Sequence, residues 1–237
     1  MEFREILEIL CNEYGISGNE SAVASRVIEL IEDYCDECRV DNMGNVIAFK
    51  KGAKTPVKKL LIDAHMDEVG MIVTGFAPDG GLCFTTVGGV DARVILGRRV
   101  VVGENRIPGV IGTKAVHMQS DEEKKTAVPV DKLYIDIGCA SKEEAMALAD
   151  PGDEVCFPAG FGSFGNGCLK GKAIDDRFGC AVMVELIRSE LPWDCWFSFS
   201  VQEEVGCRGA AGSAFSIAPD YAIALEATTA ADLAGVS

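Results

Sequence analysis

Hydrophobic residues recur at helix and strand spacing along this chain, and their pattern first predicts two helices followed by strands. The apolar positions of these helices are Phe3, Ile6, Leu7 and Leu10, and then Val23, Val27, Ile28, Leu30 and Ile31. Ser17 or Asn19 is the expected N-cap of the second helix. A strand pair with a turn at 42–45 and an apolar strand at 60–64 follow, so the chain begins as an α/β domain.

The pattern then changes to short apolar runs separated by glycine, at 70–76, 81–89, 99–102, 107–112 and 132–137. Closely spaced runs of this kind predict a small β-barrel or sandwich. Beyond residue 160 the chain returns to longer elements, a helix from Phe178 to Ser189 and strands at 196–201 and 221–225. We therefore predict an α/β domain, formed by 1–68 and 160–237, that is interrupted by a β domain at 69–159.

Composition and net charge limit the kinds of partner that this chain can bind. The chain has 237 residues, 48% of them hydrophobic, and a formal net charge of −15. This charge argues against a nucleic acid or an anionic membrane as partner, and no apolar run approaches the ~20 residues that span a bilayer. Ten cysteines lie scattered without a secretion signal, which favours reduced thiols in the cytoplasm. Cys35 and Cys38 have the spacing of a redox or zinc pair, but no second pair accompanies them.

The strand at 60–64 leads directly into His65 and Asp67, one of the two histidines of the chain and a nearby carboxylate. Residues two apart in a strand share a face, so Asp67 is placed to hold the imidazole in one tautomer while its other nitrogen binds a metal. The alternative is a buried structural histidine. The acidic residues farther along the chain bear on this choice.

Three acidic groups follow predicted strands or begin a helix: the Asp175-Asp176 pair, the Glu203-Glu204 pair and Glu226. Each taken alone is ordinary as a helix cap or a solvated turn. Together they predict a site at the carboxyl edge of the sheet, where ligands of α/β folds bind. In a two-metal hydrolase Asp175 suits a bridging ligand, whereas the adjacent glutamates suit a general base, Glu203, and a ligand, Glu204.

Four ordered motifs carry a resemblance to a known family: Asp-Ala-His-Met-Asp at 63–67, Lys-Ala-Ile-Asp-Asp-Arg at 172–177, Val-Gln-Glu-Glu-Val-Gly at 201–206 and Ala-Leu-Glu-Ala-Thr-Thr-Ala-Ala-Asp at 224–232. They resemble the dinuclear metallo-aminopeptidases of the glutamyl aminopeptidase and tetrahedral (TET) aminopeptidase family, some of which carry endoglucanase or cellulase names. The resemblance implies an α/β/α catalytic domain interrupted by a PDZ- or SH3-like barrel. It also implies peptide substrates and homo-oligomers, dimers that build a tetrahedral complex through the barrel.

The resemblance also implies roles for individual residues and a pair of divalent metal ions, zinc or cobalt, with manganese as a further option. It gives one metal the ligands His65, Asp175 and Glu226, and the other Asp175 and Glu204. Asp67 orients His65, and Glu203 is the general base. The resemblance further implies a cis peptide bond between Asp175 and Asp176.

Two departures from the family pattern affect these expectations. Many members have aspartate where this chain has Glu226. The family completes its second metal site with a histidine near the C-terminus, whereas no histidine follows His117 here. We therefore expect the sequence to be a C-terminally truncated member, although His117 could substitute for that ligand. An aminopeptidase remains the main hypothesis. The alternatives are a glycoside hydrolase of the endoglucanase type, which needs no metal, and a catalytically incomplete assembly module.

Overall fold

A computed structural model describes residues 1–56, 58–228, 230 and 235, with Glu123 described by its backbone alone. The first elements in chain order are α1 (Phe3–Asn12), α2 (Ser21–Ile31), β1 (Glu37–Val40), β2 (Val46–Lys50) and β3 (Leu60–His65). Next come β4 (Gly70–Phe76), β5 (Leu82–Val87), α3 (Ala92–Ile95), β6 (Arg99–Val102), β7 (Ile107–Gly112), β8 (Tyr134–Asp136), α4 (Lys142–Met146) and β9 (Glu154–Cys156). The last are β10 (Gly162–Phe164), β11 (Cys168–Lys170), α5 (Ile174–Arg188), β12 (Cys195–Ser200), α6 (Arg208–Ile217) and β13 (Tyr221–Ala224).

The chain divides into two compact units, one formed by Met1–Glu68 with Gly160–Ser237 and the other by Val69–Ala159. The sheet of the first unit has the strand order β1-β2-β12-β3-β13. Strands β12, β3 and β13 run parallel, whereas β2 is antiparallel to both β1 and β12. The side chain of Asp41 accepts backbone hydrogen bonds from Met43, Gly44 and Asn45, which forms the predicted turn between β1 and β2.

Helices cover both faces of this sheet. On one face, α1, α2 and α5 bury their apolar stripes against Phe197 and Phe199 of β12. On the other face, Ile217 of α6 packs against Ile47 and Leu61. The predicted α/β/α class is therefore confirmed. The predicted N-cap of α2 is wrong, because Glu20 occupies that position.

The second unit is a closed barrel with the strand order β4-β5-β8-β7-β6-β9. Met71, Leu82, Val100, Ile135 and Val155 fill its interior. Closure pairs the first and last strands and so removes both free edges. The expected barrel or sandwich is thus a barrel. Of the helices described, none is long and apolar enough to cross a lipid bilayer.

Candidate metal centre and active site

The candidate site lies where three parallel strands of the first unit end. In the sheet, Ser200 at the end of β12 is in register with His65, and Ala224 at the end of β13 is in register with Asp63. The segments that follow these strands therefore leave from one edge of the sheet. They carry Asp67, the Glu203-Glu204 pair and Glu226.

His65 is the centre of this arrangement, and its side chain is only 2% exposed. Its Nδ1 atom lies 3.0 Å from the backbone carbonyl oxygen of Asp67 and 3.4 Å from the Asp67 carboxylate. A carbonyl oxygen can only accept, so Nδ1 carries a proton and donates it there. The lone pair of a neutral imidazole is then on Nε2. That atom faces Asp175 at 3.1 Å, Glu226 at 3.7 Å and Glu203 at 3.9 Å.

The carboxylates around His65 raise the pKa of its imidazole. Burial by itself lowers the pKa of His65, but the hydrogen bond and charge of Asp67, together with the charges of Asp176 and Glu226, raise that pKa to about 9. The pKa values of Glu204 and Glu226 are raised in turn, chiefly by burial. In the metal-free chain a protonated imidazole therefore balances part of the negative charge.

Asp175 enters the site from the first turn of α5. Asp175 and Asp176 both have non-helical backbone angles, and the peptide bond between them is cis, as the family resemblance implied. The Asp175 side chain is 59% exposed, whereas Asp176 is fully buried. Burial raises the pKa of Asp176 to about 7. Asp176 Oδ1 accepts the amide of Gly179, and its Oδ2 has no hydrogen-bond partner among the described residues.

Asp67 holds the turn that presents the two glutamates. Its Oδ1 accepts the Glu203 amide at 2.9 Å and its Oδ2 the Glu204 amide at 3.1 Å. The hydroxyl of Ser17 donates to the same Oδ2 at 2.5 Å. The Asp67 carboxylate is fully buried. It holds the turn through these hydrogen bonds, and it acts on His65 together with the backbone carbonyl of the same residue.

The donor set fits a divalent cation. Within the described part of the chain, His65, Asp175 and Glu226 form a group whose ligand atoms all lie within 4.8 Å of one another. One imidazole nitrogen with two carboxylates is a set that zinc, cobalt and manganese accept. The protonated Nδ1 leaves Nε2 available as the ligand, which is the arrangement that metal-binding histidines adopt.

The other predicted residues occupy different positions. Glu203 lies beside His65, with its second carboxylate oxygen accepting a hydrogen bond from the Cys207 thiol at 3.1 Å. Glu204 is not a member of the three-residue group. His117 lies in the short helix Val116–Met118 of the barrel unit, and it is not a member of the three-residue group. The metal and catalytic roles of these residues stay predictions.

Sequence patterns did not identify several residues that support the site. Ser17 gave a signal only as a helix cap, although its hydroxyl binds Asp67. No sequence pattern indicated a role for Glu20 or Cys207, because the residues that they bind lie in remote or irregular segments. Arg177 was visible inside the Asp-Asp-Arg motif, but a charged residue at that position predicts exposure, and its side chain is completely buried.

Comparisons with known proteins identify the family of this chain. The sequence model of the M42 glutamyl aminopeptidase family matches residues 44–237. An aminopeptidase-named protein of Acetivibrio thermocellus is 41% identical over 235 residues, which cover 96% of this chain and 67% of that protein.

Two solved structures are similar over almost the whole chain. A TET aminopeptidase from a marine sediment archaeon of the Thaumarchaeota superposes with a TM-score of 0.93 at 38% identity, covering 99% of this chain and 68% of the other. The TET1 peptidase of Pyrococcus horikoshii, described as able to assemble into a tetrahedron or a large octahedral shell, gives 0.84 at 36% identity, covering 95% and 68%. The chain thus spans about two thirds of the length of the proteins it matches.

Proposed function

Because this chain belongs to the M42 glutamyl aminopeptidase family, we propose that it is a metal-dependent aminopeptidase that removes N-terminal residues from peptides. The observation that carries the proposal is the convergence of one imidazole and two carboxylates, with Glu203 beside them, at the edge of the parallel strands. This is the position at which α/β enzymes bind their substrates.

We propose two divalent cations, zinc or cobalt, with manganese as a further option. His65, Asp175 and Glu226 would hold the first, and Asp175 with Glu204 the second. The cations would polarise the scissile carbonyl, anchor the free α-amine and activate the attacking water.

The residues of the chain supply orientation and proton transfer. Glu203 is 34% exposed, so its carboxylate can reach a water molecule and take its proton, then donate that proton to the leaving amine. Asp67 fixes the backbone of Glu203 and Glu204 through their amides. Its backbone carbonyl fixes the ring of His65. The base and the first ligand are therefore held by the same residue.

We also propose that the barrel unit joins copies of this chain. The support is the similarity to peptidases that are described as assembling into shells. Native mass spectrometry of the purified chain tests it. A dimer or larger species that loses its association on substitution of exposed barrel residues such as Val116 and Met118, 68% and 64% exposed, supports the proposal. A strictly monomeric chain at all concentrations contradicts it.

Hydrolysis of aminoacyl-p-nitroanilides tests the catalytic proposal. Activity should disappear on chelation and return with cobalt or zinc. Glu203→Gln should lower kcat by about 10²–10⁴-fold while the first cation stays bound. The matched control is Glu190→Gln, a surface glutamate. Cleavage of a β-glucan that survives chelation would favour a glycoside hydrolase instead, and a folded, cation-loaded chain with no turnover would favour an assembly module.

A further inference from the structure

Three consecutive backbone amides of the turn after β12 point at two buried carboxylates. The amide of Gln202 donates to Glu20 Oε1 at 3.1 Å. The next two amides, of Glu203 and Glu204, donate to the two oxygens of Asp67. The turn that carries the proposed base and ligand is therefore bound by acceptors on both sides of Glu203.

This turn has a backbone conformation that needs support. Gln202 has a φ of 57°, in the left-handed region that residues other than glycine rarely adopt. A fixed acceptor for its amide favours this conformation over extended alternatives. A change at Gln202 would reorient the peptide that leads into Glu203.

Glu20 is itself held in place for this task. It is only 6% exposed, and its Oε1 also accepts the Gly18 amide at 2.7 Å. Although Glu20 occupies the N-cap position of α2, its side chain makes no capping hydrogen bond to that helix. Its carboxylate therefore acts on the Gly18 and Gln202 amides and does not fix the helix start.

The segment that carries Glu20 is attached to the end of β3. The Ser17 amide donates to the Glu68 carbonyl at 3.3 Å, and the Glu68 amide donates to the Gly15 carbonyl at 3.0 Å. The Ser17 hydroxyl binds Asp67. These hydrogen bonds fix the segment that carries Glu20 beside His65 and Asp67. Glu20 reaches Gln202 from this fixed segment.

We propose that Glu20 is a positioning residue for the proton-transferring Glu203, acting through the amide of Gln202. The inference rests on the proposed function, because Glu203 is the general base there. Removal of the acceptor should release the turn and misplace the Glu203 carboxylate without removing a cation ligand. The effect should fall on kcat, with KM little changed.

Amide hydrogen exchange of the metal-free full chain tests the structural part without any activity. Glu20→Ala should speed exchange of the peptide that covers Gln202–Glu204 by about tenfold or more, and Glu20→Gln, which keeps the Oε1 acceptor, should leave it nearly unchanged. Glu29→Ala is the matched control, since it removes an exposed charge from the same helix. Glu20→Asp, which withdraws the carboxylate by one methylene, replaces the alanine variant if that variant does not fold.

Kinetics with an aminoacyl-p-nitroanilide tests the functional part. We expect kcat of Glu20→Ala to fall by about tenfold or more with KM within about threefold, and Glu20→Gln to restore it. Unchanged exchange at the turn, or an equal rise throughout the unit, overturns the inference. If the unmodified chain has no aminopeptidase activity, the proposed function fails. The exchange experiment still decides whether Glu20 holds the turn in place.

Discussion

Arg177 Nε donates a hydrogen bond of 2.6 Å to the backbone carbonyl oxygen of Met66. Met66 lies between His65 and Asp67, whereas Arg177 follows the Asp175-Asp176 pair, so this bond joins two segments that carry site residues. The Nη1 atom of Arg177 reaches the carbonyl oxygen of Leu10 at 2.5 Å.

The charge of this buried guanidinium is balanced by Glu68, at 3.6 Å from Nη2. Glu68 is also paired with Lys172 at 2.6 Å, and all three side chains are at most 4% exposed. The pairing of charges with several backbone acceptors is the arrangement that a buried ion pair requires.

Arg177→Met should destabilise the first unit by about 3–5 kcal/mol, because it leaves Glu68 with one cation and removes a hydrogen-bond donor from the carbonyl oxygens of Met66 and Leu10. Arg188→Met is the matched control on the same helix. Arg188 lies over the Tyr34 ring at the surface, so its loss should cost less than about 1 kcal/mol. Urea unfolding followed by tryptophan fluorescence reports this unit, since both tryptophans, Trp193 and Trp196, belong to it. Equal costs for the two variants would contradict the structural role assigned to Arg177.

The sequence was sufficient to predict the parts of the fold that depend on local periodicity. The stripes of α1 and α2 are buried as expected, apart from Phe3 and Ile28, which are only partly buried. Closure of the barrel was not predictable, because the pairing of β4 with β9 joins residues such as Met71 and Val155 that are far apart in the chain. Glycine-punctuated runs are equally consistent with a sandwich.

For the site, the sequence predicted that His65 and Glu226 would lie close together, since parallel strands deliver the segments after them to one edge. Asp175 joins them from the first turn of α5, whereas Glu204 is not a member of that group. The sequence could not predict how these groups are held. Ser17 had the signature of a helix cap, but the helix begins beyond it, and its hydroxyl binds Asp67 instead. Arg177 and Glu20 bind backbone atoms of their partners. Every residue has such atoms, so these contacts cannot be predicted from the identity of the partner residue.

Gly209 lets α6 approach the sheet closely beside the turn that follows β12. A substitution at this glycine tests that packing. A Cβ atom at this position would lie 2.3 Å from Asn45 Oδ1 and 2.4 Å from the Val201 carbonyl oxygen. Asn45 also accepts the Val201 amide at 3.0 Å, so neither neighbour can yield without loss of a hydrogen bond. Gly209→Ala should therefore cost about 2 kcal/mol or more in urea unfolding.

Gly212 in the same helix provides the control for Gly209. Its added Cβ would lie 3.2 Å from the flexible Met43 side chain and at an ordinary contact distance of 3.8 Å from Asn45 Nδ2. Gly212→Ala should be neutral or stabilising by up to about 1 kcal/mol, because alanine favours the helix. A similar loss in both variants would show that the contact with Asn45 and Val201 does not decide the outcome, because helix propensity alone favours alanine at both positions.

The thiol of Cys207 reports the state of the Glu203 carboxylate. Cys207 is exposed and donates to Glu203 Oε1 at 3.1 Å. This hydrogen bond and the charge of Glu203 raise the pKa of the thiol. Glu203→Gln should lower that pKa and speed alkylation of Cys207 in the metal-free chain by about twofold or more at mildly alkaline pH. Peptide mass spectrometry measures it, with the exposed Cys83 and Cys168 of the same sample as references. Equal changes at all three thiols would count against the hydrogen bond.

Histidine NMR of the metal-free chain measures the electrostatics of the site directly. The chain has only two histidines, so its spectrum is simple, and His65→Gln assigns the signal. We expect His65 to titrate with a pKa of about 9, since Asp67, Asp176 and Glu226 outweigh the effect of burial. Zinc binding at Nε2 should remove the titration and release a proton below that pH.

The same pKa predicts how stability depends on pH. The value in the folded chain, about 9, lies above the ordinary histidine value of 6.5, so the folded state binds the proton more tightly than the unfolded state. This contribution, on the order of 3 kcal/mol, is complete below pH ~6.5 and is lost as the pH rises through ~9. The difference in unfolding free energy between the metal-free chain and its His65→Gln variant should therefore shrink over that interval. A difference that grows with pH would show that the imidazole is held neutral, and that the carboxylates around it do not act as the structure indicates.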